Sequence, residues 1–164
     1  MDAPRHSVGS NICNANVVSP RVSLAAVFSP DAILLGLNVR TKQDAIERMV
    51  RQLRNLTGFG ESDEATIAQT ILAREHTGTT GIGNGVAFPH CRSGAVDKCL
   101  GVLALDSAGI PFDALDNKLV HSIFLLVSPI GNDTHYEVLG RIAAIGKDKS
   151  QCMRLHGCRT RDDA

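Results

Sequence analysis

The segment LVHSIFLLVSP, residues 119–129, is apolar almost throughout. A strand with one wet face would alternate, so a continuous run fits a strand covered on both faces. It is too short to cross a bilayer as a helix. Candidate covers lie on either side of it in sequence. In TKQDAIERMVRQLRNLTG, Ile46, Met49, Val50 and Leu53 recur at one-face helical spacing, Thr41 with Asp44 resembles a capping box, and Gly58 ends the run. In ESDEATIAQTILAREH a second helix is predicted, with Ser62 as its cap, Asp63 and Glu64 in its first turn, and Ile67, Ile71 and Leu72 inward. Helical spacing returns in DTHYEVLGRIAAIGKD through Val138, Leu139, Ile142 and Ile145. GVAF and CLGVLALD read as strands, a first strand lies within SPDAILLGLNV, and SAGIPFDALDN is a turn-rich connection. This alternation predicts an α/β fold, a mixed β-sheet flanked by helices in a single domain over 24–164. Residues 1–20 show no periodicity and read as a disordered tail. The C-terminal KSQCMRLHGCRTRDDA carries little apolar surface, and Gly157 interrupts any helix there.

Composition excludes several classes of function. Seventeen basic residues balance seventeen acidic ones, and one tyrosine with no tryptophan offers no base-stacking set, so no nucleic-acid partner is expected. The five cysteines, Cys13, Cys91, Cys99, Cys152 and Cys158, form no CxxC pair. They read as reduced thiols rather than a zinc site or disulfide framework. The first apolar stretch, VSLAAVF, stops at Ser29-Pro30, which predicts no signal peptide, no membrane insertion and a cytoplasmic protein. Nothing calls for a cofactor.

The stretch GTTGIGNGVAFPHCR puts four glycines ahead of Pro89 and His90. Such a loop can present backbone N–H groups to an anion, or simply turn the chain. It lacks the ending of a P-loop, and it follows a helix, which excludes the dinucleotide fingerprint. Pro89 fixes its own backbone and pushes Phe88 toward extended geometry, so His90 is held stiffly at a strand end, a place suited to proton or phosphoryl chemistry. Arg74 sits near a helix C-terminus, where a cation is favourable in its own right. His135 opens a helix, His121 lies inside a strand, and His76 is read as solvent-facing. Cys91 adjoins His90, but neighbours on a strand point to opposite faces, so a Cys–His pair is not expected. A metal-binding hydrolase using His76, His90, His121 and His135 is a distant alternative, weakened by the absence of close ligand spacings.

EHTGTTGIGNGVAFPHC, residues 75–91, resembles the phosphohistidine signature of the type-2 enzyme IIA domains of the bacterial phosphotransferase system, the fructose–mannitol group. The similarity spans roughly residues 28–147. GTTGIGNGVA and FDALDNKLVHSIFLLVSP are closer to the nitrogen-regulatory branch than to the sugar-transport members. The resemblance implies the same mixed-sheet fold and a phosphotransferase with a covalent phosphohistidine. His90 would accept a phosphoryl group from an HPr-type phosphocarrier. Arg74 and His135 would stabilise it, and backbone N–H groups of the loop (Thr80, Gly81, Gly83, Gly85) would hold phosphate oxygens. The onward partner would be a regulatory target protein or, for a sugar-specific transport component, an enzyme IIB. Cys91 replaces the commoner glycine or alanine, and the short charged C-terminus departs from the family's closing helix.

Overall fold

The computed structural model describes residues 22–164; the expected tail at 1–20 lies outside them. In chain order the elements are α1 (Leu24–Val27), a 3-10 turn (Pro30–Ala32), β1 (Ile33–Leu35), α2 (Lys42–Thr57) and α3 (Glu61–His76). Then follow β2 (Gly81–Gly83), β3 (Val86–Ala87), β4 (His90–Arg92), β5 (Leu100–Ile110), β6 (Val120–Ser128), α4 (Thr134–Lys147), α5 (Lys149–Gly157) and a 3-10 turn (Arg161–Asp163). The sheet runs β1-β5-β6-β3-β2, and β4 also pairs with β6. β5 and β6 are antiparallel; β1 on β5, and β3 and β4 on β6, are parallel. The sheet is therefore mixed, with helices on both faces.

β6 is buried along nearly its whole length because it faces two cores. Ile123, Leu125 and Val127 pack with Ile46, Met49 and Val50 of α2 and Ile67 and Ile71 of α3. Phe124 and Leu126 point the other way, toward Val138 and Ile142 of α4 and Cys152 of α5. α2 starts at Thr41, whose Oγ1 accepts from the Asp44 N–H and donates to the Asp44 carboxylate, and it closes on Gly58.

Three expectations need correction. Ser62 does not cap α3: Gly60 does, its carbonyl accepting from the Asp63 and Glu64 N–H groups, and Ser62 lies within the first turn. The C-terminal stretch does form a helix, because Asp148 accepts from the Ser150 and Gln151 N–H groups and Cys152 is buried against the sheet; Gly157 is the helix's last residue. β5 runs on through Ser107–Ile110 past a register shift after Leu105, where a connection was expected.

The glycine stretch is largely a hairpin. Gly81 pairs with Ala87 and Gly83 with Val86, around an Asn84-Gly85 turn in which both residues have positive φ, 52° and 74°. Asn-Gly with two left-handed residues is the favoured two-residue hairpin turn. A Cβ on Gly85 would also lie 2.6 Å from the His156 ring. Gly85→Ala should therefore cost about 2 kcal/mol, read as a fall in Tm of roughly 4–8 °C, from overpacking and left-handed strain together. Asn84→Gly, which has neither penalty, should change Tm little.

Candidate functional site

Pro89 interrupts the stretch of chain that pairs parallel with β6 and separates β3 from β4. Its carbonyl accepts from the Leu126 N–H at 3.0 Å, but it has no N–H to return to the ladder. β3 therefore pairs with Ser122 and Ile123, and β4 resumes at His90 opposite Leu126. His90 is half-buried, and its Nδ1 lies 2.8 Å from the Phe88 carbonyl. A carbonyl only accepts, so Nδ1 carries the proton and the lone pair of the neutral ring is at Nε2. The Phe88 ring stacks on the imidazole, centroids 6.0 Å apart. Burial lowers the His90 pKa most; the Phe88 carbonyl raises it, the Arg74 charge lowers it, and Glu75 raises it, with a net shift below the ordinary value.

His135, in the first turn of α4, meets His90 edge-on with ring centroids 5.3 Å apart. It is only 5% exposed, and its Nδ1 is 2.5 Å from Ser128 Oγ at the end of β6. Burial, then the His90 charge and then that of Arg92 push its pKa down to about 4. It is held as a neutral ring.

From the other face of the sheet comes the C-terminal end of α3. Arg74 is exposed, and its Nη1 donates to the Gly78 carbonyl at 2.8 Å, which ties the helix end to the chain that follows. The remaining guanidinium N–H groups stay available, and the charge reaches His90, whose pKa it lowers. Glu75, next in sequence, is 4% exposed. Its carboxylate accepts from the Thr80 N–H at 3.2 Å and from the Thr80 hydroxyl, and it pairs with Lys42 Nζ at 3.6 Å. That buried charge is satisfied, as burial requires, and it anchors the start of the hairpin.

The structure thus sets His135 against His90 and puts Arg74 where its charge lowers the His90 pKa. It does not bring the expected loop donors to them. The Thr80 N–H is taken by Glu75, the Gly81 N–H lies 3.0 Å from Thr79 Oγ1, and Gly83 and Gly85 sit at the hairpin tip beside Asp116 and His156. The Gly85 carbonyl accepts from His121 and Ser122, four residues before Leu126 on β6, about 13 Å along the strand from the level of His90. Turn geometry accounts for those two glycines. His121 donates from Nδ1 to the Asp106 carbonyl and pairs with His156, ring centroids 5.0 Å apart, while His76 is exposed. The four histidines of the metal alternative are not gathered, and no cluster of three or more His, Cys, Asp or Glu among the described residues could hold a metal ion. Cys91 points into the α2–α3 core, and burial pushes its thiol up to about 12, which leaves it inert. Sequence reasoning missed Ser128 and Arg92; the two-residue strand period puts Arg92 on the His90 face, and register places it opposite Ser128.

The family model for the phosphoenolpyruvate-dependent sugar phosphotransferase system, EIIA 2, matches residues 26–164. The chain is 38% identical over 128 residues to the nitrogen regulatory protein of Pseudomonas aeruginosa, covering 76% of this chain and 80% of that one. It is 33% identical over 134 residues to the nitrogen regulatory protein of Bradyrhizobium diazoefficiens, covering 81% and 86%. The crystal structure of nitrogen regulatory protein IIA-Ntr from Neisseria meningitidis superposes with a TM-score of 0.76 at 30% identity, over 85% of this chain and 94% of that one. Among the described residues no helix is long and apolar enough to cross a membrane.

The depressed His135 pKa makes a prediction about stability. Unfolding releases a ring that protonates near its ordinary value of about 6.5, whereas the folded ring resists protonation to about 4. The unfolded state binds more protons in between, so stability should fall as pH drops through that window, by on the order of 3 kcal/mol from this group. Urea denaturation of His135→Gln at pH 7 and pH 5 should show a smaller pH dependence than wild type.

Proposed function

The chain belongs to the type-2 enzyme IIA family of the phosphotransferase system, and on that footing we propose that it is a phosphocarrier whose acceptor atom is Nε2 of His90. The observation that carries the reading is the Phe88 carbonyl on Nδ1, which leaves the lone pair at Nε2 in a neutral ring. In the step, the N–P bond of an HPr-type phosphocarrier's phosphohistidine breaks and the bonding pair stays on the donor imidazole. A new N–P bond forms from the Nε2 pair, in line with the one that breaks. His90 gains positive charge as it bonds to phosphorus. The Phe88 carbonyl and the buried Glu75 carboxylate both favour that charge, since both raise the His90 pKa. Arg74 supplies guanidinium N–H groups to phosphoryl oxygens, and His135 supplies a neutral imidazole beside them.

The role is that of a nitrogen-regulatory type regulator acting in the cytoplasm. Its support is the name carried by the relatives and the packing of the two stretches that resemble that branch. In that packing Thr79 Oγ1 donates to the Phe112 carbonyl, Leu115 N–H to Gly81, and Asn84 N–H to the Asp116 carboxylate. A dianionic group on His90 would reverse the local potential and so change the affinity of a partner protein. Transfer onward to an enzyme IIB is the alternative, and the family's description as a sugar phosphotransferase system supports it.

Incubation with enzyme I, an HPr-type carrier and phosphoenolpyruvate should give an acid-labile, alkali-stable label that His90→Ala abolishes; a label that survives this change sinks the assignment. Arg74→Lys keeps the charge and loses the two-pronged geometry, so transfer should slow about tenfold or more with Tm nearly unchanged. With phosphoramidate as a small donor, labelling needs the unprotonated ring. The midpoint of its fall with acidification should lie below pH 6.5, because burial holds the folded His90 pKa below that value. Pull-downs with wild type, His90→Ala and His90→Asp separate the two roles: efficient transfer to a fructose or mannitol IIB, with no partner distinguishing the variants, would overturn the regulatory one.

A further inference from the structure

We propose that Arg92 is a positioning residue of this site: seated on Tyr136, it holds the first turn of α4 so that His135 faces His90. The inference rests on the phosphocarrier reading for its kinetic consequence, though not for its structural one. Arg92 is two residues beyond His90 on β4, hence on the same face, and its register partner on β6 is Ser128, the residue bonded to His135. Its guanidinium carbon lies 4.9 Å from the centroid of the Tyr136 ring, and that ring is perpendicular to the His135 ring at 5.4 Å. Two ties thus join the start of α4 to the sheet beside His90: the Ser128–His135 contact and the Arg92–Tyr136 stack.

A purely structural arginine would be expected to spend its charge on a carboxylate or on helix-end carbonyls. Among the described residues no carboxylate forms an ion pair with Arg92. Its Nη2 is buried with no hydrogen-bond partner, a rare and costly condition. No carboxylate among the described residues cancels the positive charge, and it acts on His135, whose protonation is opposed first by burial, then by the His90 charge and then by that of Arg92. A neutral His135 can sit against His90 without repelling it. Arg92 accordingly fixes where His135 stands through Tyr136, and its charge adds to burial and His90 in disfavouring the charged ring.

The test uses the full chain as wild type, Arg92→Gln, Arg92→Lys, Tyr136→Ala and Tyr136→Phe. Tyr136 is 66% exposed, so its truncation frees the guanidinium without opening the core. His135 is followed by imidazole NMR between pH 5 and 8, and phosphoryl transfer to His90 is followed as kcat and KM for the carrier. We expect His135 not to titrate in this window in wild type, Tyr136→Phe or Arg92→Lys, and to begin titrating at its acidic end in Arg92→Gln. The kcat for transfer should fall about tenfold in Arg92→Gln and Tyr136→Ala, and stay within about threefold of wild type in Arg92→Lys and Tyr136→Phe. Wild-type protein that takes no label on His90 overturns the phosphocarrier reading, while the titration still decides the structural role. A labelled wild type matched by Arg92→Gln in both kcat and His135 titration overturns the assignment to Arg92. So does a rise in KM alone, which would make Arg92 a docking contact for the carrier.

Discussion

Pro89 decides where the site can be. It accepts from β6 but donates nothing back, so the chain beside β6 is broken into β3 and β4 without being released, and β4 is left with β6 as its one strand partner. His90 is the first residue after the break. The Phe88 carbonyl, immediately before it, is turned onto the His90 ring. One imino acid thereby sets the position of the imidazole, its tautomer and the nitrogen that carries the lone pair. An ordinary residue at 89 would allow one continuous strand, in which a histidine at 90 has no reason to meet the carbonyl two residues back.

An edge position has a second consequence. Groups from both layers of helices act on the same ring. The charges of Arg74 and Glu75 act from α3, on the face filled by α2 and α3; His135 meets it from α4, on the opposite face. The two contributions differ in kind. The α3 side brings full charges, one buried and satisfied by Thr80 and Lys42, one exposed. The α4 side brings a buried neutral ring, held by a hydroxyl at the end of β6. A phosphoryl group at Nε2 would stand where these two sides meet, with cationic donors available and little bulk water to compete on the α4 side.

Much of this was legible in the sequence, and what was not has physical causes. The amphipathic stripe of α2, its Thr41 cap and the doubly covered β6 are local or periodic features, and each was read correctly. Ser62 misled because a hydroxyl at a helix start is one of several equivalent caps, and Gly60 lay two residues earlier with a carbonyl to offer. α5 escaped because its apolar content is low; Cys152 helps hold it, packed against a sheet that a helical wheel cannot see. In the Gly83–Gly85 stretch the glycines alone fit an anion loop or a turn, and it is Asn84-Gly85 that carries the hairpin signature. Ser128 and Arg92 are invisible to motif reading, since their meaning comes from the parallel register of β4 on β6, a long-range fact.

The charges at the site are balanced for a guest rather than for the empty protein. Two histidines lie 5.3 Å apart with both pKa values depressed, flanked by Arg74 on one side and Arg92 on the other, the latter with a buried, unbonded Nη2. Burial disfavours the charged form of both rings, and the buried Nη2 of Arg92 goes without a hydrogen bond. A site for a neutral ligand would gain nothing from it. A dianion bonded to Nε2 would be stabilised by each positive group near it. Burial is the largest cause of both depressed pKa values, the Arg74 and Arg92 charges add to it at His90 and His135 respectively, and a phosphoryl dianion at Nε2 would meet those charges favourably. An unpartnered buried donor is expected at functional sites, where local rules are broken and the rest of the fold holds the arrangement in place. Here the holding is done by the doubly buried β6, to which His90, Ser128 and, through Ser128, His135 are all fastened.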